Sequence, residues 1–133
     1  MNQELYFVLT LLAAAALALG IYLLATRQNR RATECCNILC NSVWQVNASL
    51  RTREWELQSE DSHPSVACAR GFNLMQELST LVEECNEHRD VAQAWLLMGR
   101  AGYPTVQLRY DLGLAAVGRF HHTLRRYDKA LAS

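Results

Sequence analysis

Leu5 to Ala25 reads LYFVLTLLAAAALALGIYLLA, an apolar run with no charged residue, bounded by Glu4 on one side and Arg27 on the other. A bilayer core of about 30 Å needs roughly 20 apolar residues at about 1.5 Å each. A helix in the core of a soluble domain rarely runs that far without a polar face. The run therefore predicts a single membrane-spanning helix, with one small domain behind it.

A secretory leader also begins with an apolar core, but it carries a basic segment first, and Met1, Asn2, Gln3 and Glu4 supply no Lys or Arg. Ala16, Leu17 and Ala18 are small enough for a cleavage site, so cleavage is the competing expectation. Arg27, Arg30 and Arg31 follow the run directly. Basic residues at a membrane exit mark the cytoplasmic side, which places the N-terminus outside and the rest of the chain in the cytoplasm. Leu5 opens the span, and Tyr6 and Tyr22 suit its two interfacial aromatic belts. Gly20 and the alanines 13–16 would admit a second helix, although lipid-facing filler is the simpler reading.

The 133 residues suffice for the span, residues 1–26, and one further domain, residues 27–133. Thirteen basic and thirteen acidic side chains cancel overall but not locally. Glu54, Glu56, Glu60, Asp61, Glu77, Glu83, Glu84, Glu87 and Asp90 make the middle acidic, against only Arg70 and Arg89, and Arg100, Arg109, Arg119, Arg125, Arg126 and Lys129 make the end basic. An acidic helix lying beside a basic one explains this asymmetry better than nucleic-acid binding, for which no aromatic-interleaved or zinc-finger pattern is present.

Two breaks divide the domain: SEDSHPS at 59–65 and GRAGYPT at 99–105. Three helices are expected, at about 27–58, 65–98 and 105–132. The first carries Leu39, Val43, Val46, Leu50 and Leu57 on one stripe, with Trp44 and Trp55 flanking it. In the second, Leu74, Leu78, Leu81, Cys85, His88, Ala92 and Trp95 alternate four and three, the spacing of a coiled-coil seam. The third aligns Val106, Tyr110, Val117, Phe120, Leu124, Tyr127 and Leu131. Gly113 and Gly118 weaken that helix by about 1 kcal/mol each unless a neighbouring backbone packs against them. Short connections make adjacent helices antiparallel, so the fold class is all-α: a transmembrane helix followed by an antiparallel three-helix bundle or short coiled coil. Arg27 to Thr33 contains no breaker, so one helix is expected to run from the bilayer into the bundle.

Cys35, Cys36, Cys40, Cys68 and Cys85 make an odd count, and a cytoplasmic address keeps them reduced. Cys36 and Cys40 stand one turn apart, but no partner pair follows at zinc-finger distance, and no metal is expected. Cys40, Cys68 and Cys85 read as small apolar core residues. Cys35 and Cys36 lie near the membrane surface, where S-palmitoylation is an alternative. Cys85 and His88 share the seam without a third orienting group, which is insufficient for nucleophilic catalysis. His121 and His122 are adjacent on a helix, with one expected toward solvent and the other toward the core. No Gly-rich phosphate loop, HExxH or GxSxG occurs, so neither enzyme activity nor a cofactor is expected. Asn47-Ala48-Ser49 is a glycosylation sequon that a cytoplasmic domain would not use.

A span followed by a Trp-Gln-hydrophobic helix with a closing basic pair resembles LemA-like bacterial membrane proteins, whose first cytoplasmic helix carries a motif of the type A-W-S-Q-I-D-V-Q-L-K-R-R. The corresponding stretch here is VWQVNASLRTR, with Trp44, Gln45, Leu50, Arg51 and Arg53 as the matching residues. Phe72-Asn73-Leu74-Met75, Leu78, Leu81, Val82 and then His88-Arg89 parallel that family's L-I-P-N-L-V helix and its later His-Glu pair. Tyr103-Pro104 and Tyr127-Asp128-Lys129-Ala130 parallel its late Tyr-Pro turn and closing Tyr-Asn-x-Ala stretch. The family's motif prolines and acidic residue are absent here. The resemblance implies an antiparallel helical bundle on a bacterial inner membrane, with no established enzymatic activity.

The expected function is that of a single-pass, membrane-anchored interaction or scaffold protein whose partners are the bilayer and either a second protein or another copy of itself. The alternative is an extracytoplasmic, disulfide-linked domain on a signal anchor, such as an envelope or phage lysis component.

Overall fold

The computed structural model describes residues 2–59 and 66–132, and among these no strand occurs. Three long helices account for nearly all of them: α1 (Asn2–Ser59), α2 (Val66–Leu96) and α3 (Tyr103–Ala132). Of the first sequence break, 59–65, Ser59 is the last residue of α1, and 60–65 lie outside the described residues. The second is built from the turn Leu97-Met98 and a short 3-10 helix, Gly99–Gly102.

The apolar N-terminal stretch and the first bundle helix are one element. With 58 residues, α1 runs about 87 Å at about 1.5 Å per residue. Every side chain from Asn2 to Leu24 is exposed, and this is the one helix among the described residues long and apolar enough to cross a membrane. A core helix of such hydropathy in a soluble protein would be mostly covered; none of this stretch is. Beyond Ala25 the same helix becomes amphipathic. Ala32, Cys36, Leu39, Val43, Val46 and Leu50 are buried, alternating four and three, so that one seam of α1 faces the other helices.

Polar contacts fix the helix directions. Asn47 bonds to Asn86 and Cys40 accepts from Gln93, so α1 and α2 run antiparallel. Tyr103 donates to Asn29 and Arg53 pairs with Asp128, so α3 returns parallel to α1. Arg119 meets Glu84 at 2.7 Å and Arg126 meets Glu77 at 3.9 Å, which sets the basic helix against the acidic one. These exposed pairs contribute little individually, about 0–1 kcal/mol, and act mainly on helix choice and register. The stabilising bulk is apolar. Tyr127, Phe120, Leu39, Leu78, Val43, Val46 and Val106 are fully buried, and burial of a large apolar side chain is worth about 1.5–3 kcal/mol.

Helix boundaries depart from the sequence reading around the second break. α2 stops at Leu96 because Gly99 takes a left-handed φ of 71°, which L side chains adopt at a cost, and the amide of Met98 closes onto the carbonyl of Trp95. α3 starts at Tyr103, not 105, because Pro104 falls in its first turn, where a missing N–H costs nothing and the fixed φ suits a helix.

The two glycines of α3 have opposite roles. A Cβ on Gly113 would lie 2.5 Å from Leu39 Cδ1 and 3.3 Å from His88 Cβ, so this glycine lets all three helices close together at one level. Around Gly118 there is open space. Gly118→Ala is therefore expected to raise the unfolding free energy of the bundle by about 0.8–1.0 kcal/mol, the helix-propensity difference alone, as measured by urea titration of the protein in bicelles.

Candidate functional site

In the apolar half of α1, Leu5, Tyr6 and Tyr22 are exposed, and nothing stands within 4 Å of a Cβ built on Gly20. The two threonine hydroxyls of this stretch are satisfied within the helix: Thr10 donates to the carbonyl of Tyr6 at 2.7 Å, and Thr26 at its far end donates to that of Tyr22 at 2.8 Å. Arg27, Arg30 and Arg31 are exposed immediately behind it.

Of the sequence-derived seam on α2, Leu78, Cys85, His88 and Ala92 are buried, Leu74 and Leu81 are half-buried, and Trp95 is 40% exposed. Met75 and Val82 are buried as well, and Gly71 with them. The covered strip is thus two rows wide, because α2 packs against both α1 and α3 and a single heptad row serves only one neighbour. Trp95 lies in the last turn of α2, where α3 has only begun.

Among the described residues, Cys85 and His88 are not paired as nucleophile and base. Cys85 is fully buried, and desolvation pushes its thiol up to about 11, with the Glu84 carboxylate adding to the effect. A nucleophilic cysteine needs the opposite shift. Among the described residues no hydrogen bond joins Cys85 to His88. Arg109 Nη1 lies 3.1 Å from His88 Nδ1; since a guanidinium can only donate, Nδ1 accepts and the ring proton sits on Nε2, 3.8 Å from Glu84. Glu84 in turn accepts from Arg119, so His88 belongs to a structural Glu84–Arg119–His88–Arg109 cluster joining α2 to α3. Sequence spacing within α2 cannot reveal such a cluster, because half of it comes from α3.

Burial also pushes the Cys36 thiol up to about 11, reinforced by Cys40 one turn away, and Cys35 is shifted in the same direction by burial while bonding weakly to Gln107. Cys40 is half-buried, Cys36 is a core residue, and Cys35, Cys36, Cys40 and Cys85 are free thiols. Cys68's side chain lies outside the described ones. Among the described residues, no three His, Cys, Asp or Glu side chains converge to hold a metal ion. His121 and His122 both face solvent; the expectation that one of them enters the core fails because Phe120, Thr123 and Tyr127 occupy the inward face.

The outer face of α1 carries a different feature. Trp44 and Trp55 flank the buried stripe as expected, and each is 70% exposed. Trp44, Ala48, Arg51 and Trp55 follow one another at spacings of four, three and four, hence on one face of the helix. Beside it an open groove of about 270 Å³ is lined by Trp44, Asn47, Ala48, Arg51, Asn86 and Arg89. Its floor is fixed by paired amides: Asn47 Nδ2 donates to Asn86 Oδ1 at 2.9 Å and to the carbonyl of Val43 at 2.8 Å. A sugar on the Asn47 sequon would have to break this pair. The groove offers indole and guanidinium surface, the side chains that dominate protein–protein contacts.

Comparison with family models, with curated proteins and with solved structures returns no match to this chain.

Proposed function

We propose that this chain is a single-pass, membrane-anchored interaction module that holds a three-helix bundle at the cytoplasmic surface of the inner membrane, acts without catalysis, and docks a protein partner or a second copy through the outer face of α1. The observation that carries this reading is the unbroken helix from Asn2 to Ser59: its first half exposes an apolar surface that only lipid or protein can cover, and its second half is built into the bundle core. A helix without a hinge transmits the orientation of the span to the bundle, so a face on α1 points in a set direction relative to the bilayer.

Three further observations support the reading. The arginines at 27, 30 and 31 favour the cytoplasm for the bundle. Four free cysteines accord with a reducing compartment, in contrast to the disulfide-linked alternative. The raised thiols of Cys36 and Cys85 suit packing better than reaction.

The docking role is tested by Trp44→Ser/Trp55→Ser. Both side chains are largely exposed, so helicity and melting of the bundle are expected to stay within about 0.5 kcal/mol of the parent. Loss of a buried interfacial tryptophan costs about 2 kcal/mol or more of binding, so chemical crosslinking in native membranes is expected to lose its α1-dependent products. Unchanged crosslinking of a folded double variant would contradict a docking role for this face.

A further inference from the structure

The end of the bundle nearest the span has a composition that neither the core nor the outer face of α1 explains. Because α2 runs toward the span and α3 away from it, the turn joining them lies at this end, where Tyr103 bonds to Asn29 two residues beyond Arg27. Between the turn and α1 opens a cleft of about 440 Å³, lined by Gln28, Arg31, Ala32, Arg100, Tyr103, Pro104 and Gln107. Beside it, Leu97 is 89% exposed and Met98 is 64% exposed.

Charge here is unbalanced in one direction. Farther along the bundle, Arg53, Arg89, Arg119 and Arg126 each meet a carboxylate, while Arg51, Arg125 and Lys129 are exposed there without such an ion pair among the described residues, but spread along α1 and α3 and not gathered at one cleft. Among the described residues none of Arg27, Arg30, Arg31 and Arg100 has such an ion pair. The nearest carboxylates are Glu34, one turn farther along α1, and Asp111, which accepts from Gln107 at 3.2 Å. Four exposed guanidiniums are therefore gathered at the span end of the bundle, and among the described residues none of them stands within 4 Å of a carboxylate oxygen.

Depth agrees with charge. Gln28, at the span-side edge of the cleft, stands three residues past Ala25, about 4.5 Å along the helix axis, and Arg31, six residues past it, leans its side chain back toward the span as helix side chains do. A headgroup layer adds about 5–7 Å to each side of the hydrocarbon core. The cleft accordingly lies at the level of lipid phosphates.

We propose that the α2–α3 turn is a second membrane contact, in which Arg31 and Arg100 bind the phosphate of an anionic phospholipid headgroup while Leu97 and Met98 rest on the bilayer interface. The proposal rests on the anchored reading above and adds to it a preferred lipid and a fixed tilt of the bundle toward its turn. Surface arginines near an anionic membrane contribute about fivefold each to binding.

The full chain is reconstituted into phosphatidylcholine vesicles with a minor share of phosphatidylglycerol, floated, and gently extracted, and the phospholipid retained on it is counted by native mass spectrometry. Phosphatidylglycerol is expected to be enriched over its share in the vesicle. Arg31→Gln/Arg100→Gln is expected to lower the ratio of phosphatidylglycerol to phosphatidylcholine retained on the chain by up to about 25-fold, about fivefold for each arginine. Arg125→Gln/Lys129→Gln, which removes the same charge from exposed positions at the far end, is expected to leave it unchanged. All four positions are exposed, and equal far-UV helicity confirms that the variants fold. Equal loss in both double variants, or no enrichment in a floating parent, would overturn the headgroup site alone. So would retention of inorganic phosphate through Arg31 and Arg100 in neutral vesicles without phosphatidylglycerol enrichment, which would assign the cleft to a soluble anion. A parent chain that floats with neither vesicle would overturn the span itself.

Discussion

Phe120→Ala lowers the unfolding free energy of the bundle by about 3–5 kcal/mol, the range for removing a fully buried aromatic ring. Phe120 has no exposed surface and sits mid-way along α3, on the face that meets both other helices. Its ring also stands edge-on to that of His121, 5.6 Å between centroids, and loses this contact too. A domain of this size has about 5–15 kcal/mol in all, so the variant stands close to its folding limit. The membrane half of α1 makes no contact with Phe120 and stays helical. Urea titration in bicelles, followed by amide exchange, is expected to show a bundle that melts early and a span that does not exchange. A loss below about 1 kcal/mol would mean that α3 is not packed as described.

Gly102→Ala has the second largest effect, about 3 kcal/mol, for a reason visible at one atom. A Cβ at Gly102 would stand 1.9 Å from the carbonyl oxygen of Trp95 and 2.8 Å from its carbonyl carbon. Those are backbone atoms, which cannot rotate aside as a side chain would, so the turn has to open; overpacking of this kind costs about 1–3 kcal/mol and occasionally more. Gly99 in the same turn is the internal comparison. Its φ of 71° penalises a side chain, but the space around it is empty, so Gly99→Ala is expected to cost only about 1 kcal/mol. Thermal melts of the two variants should rank them in that order, and the reverse order would contradict the geometry of the α2–α3 connection.

Legibility in the sequence varied with how local each feature is. The span is readable because hydropathy over Leu5–Ala25 involves no other part of the chain. The stripe of α3 is readable for a similar reason: Val106, Val117, Phe120 and Tyr127 bury as the spacing implies, with Tyr110, Leu124 and Leu131 at its margins. On α2 the pattern Leu74–Trp95 captures half of a strip two rows wide. Met75 and Val82 belong to the other row, and Trp95 continues the periodicity into the last turn, where Leu96 is the residue packed against the core. The pairing of an acidic helix with a basic one follows from charge distribution; which carboxylate meets which guanidinium depends on register, and so Glu84–Arg119 could not be read. Gly113 and Gly118 look alike as letters and differ only in what faces them. The membrane-side cleft was hidden for the same reason, since Arg31 and Arg100 are 69 positions apart in the chain and meet through the turn.

The most direct test of the account is the sidedness of the bundle in cells producing the full chain, read at Asn41→Cys, an exposed position on α1 beyond the span. Cells are treated with a membrane-impermeant maleimide before or after permeabilisation, and the chain is then recovered from membrane and soluble fractions. The chain is expected wholly in the membrane fraction, with the Asn41→Cys thiol labelled after permeabilisation alone and without prior reduction. Labelling of intact cells, or recovery of the chain in the soluble fraction, would contradict a bundle anchored on the cytoplasmic face.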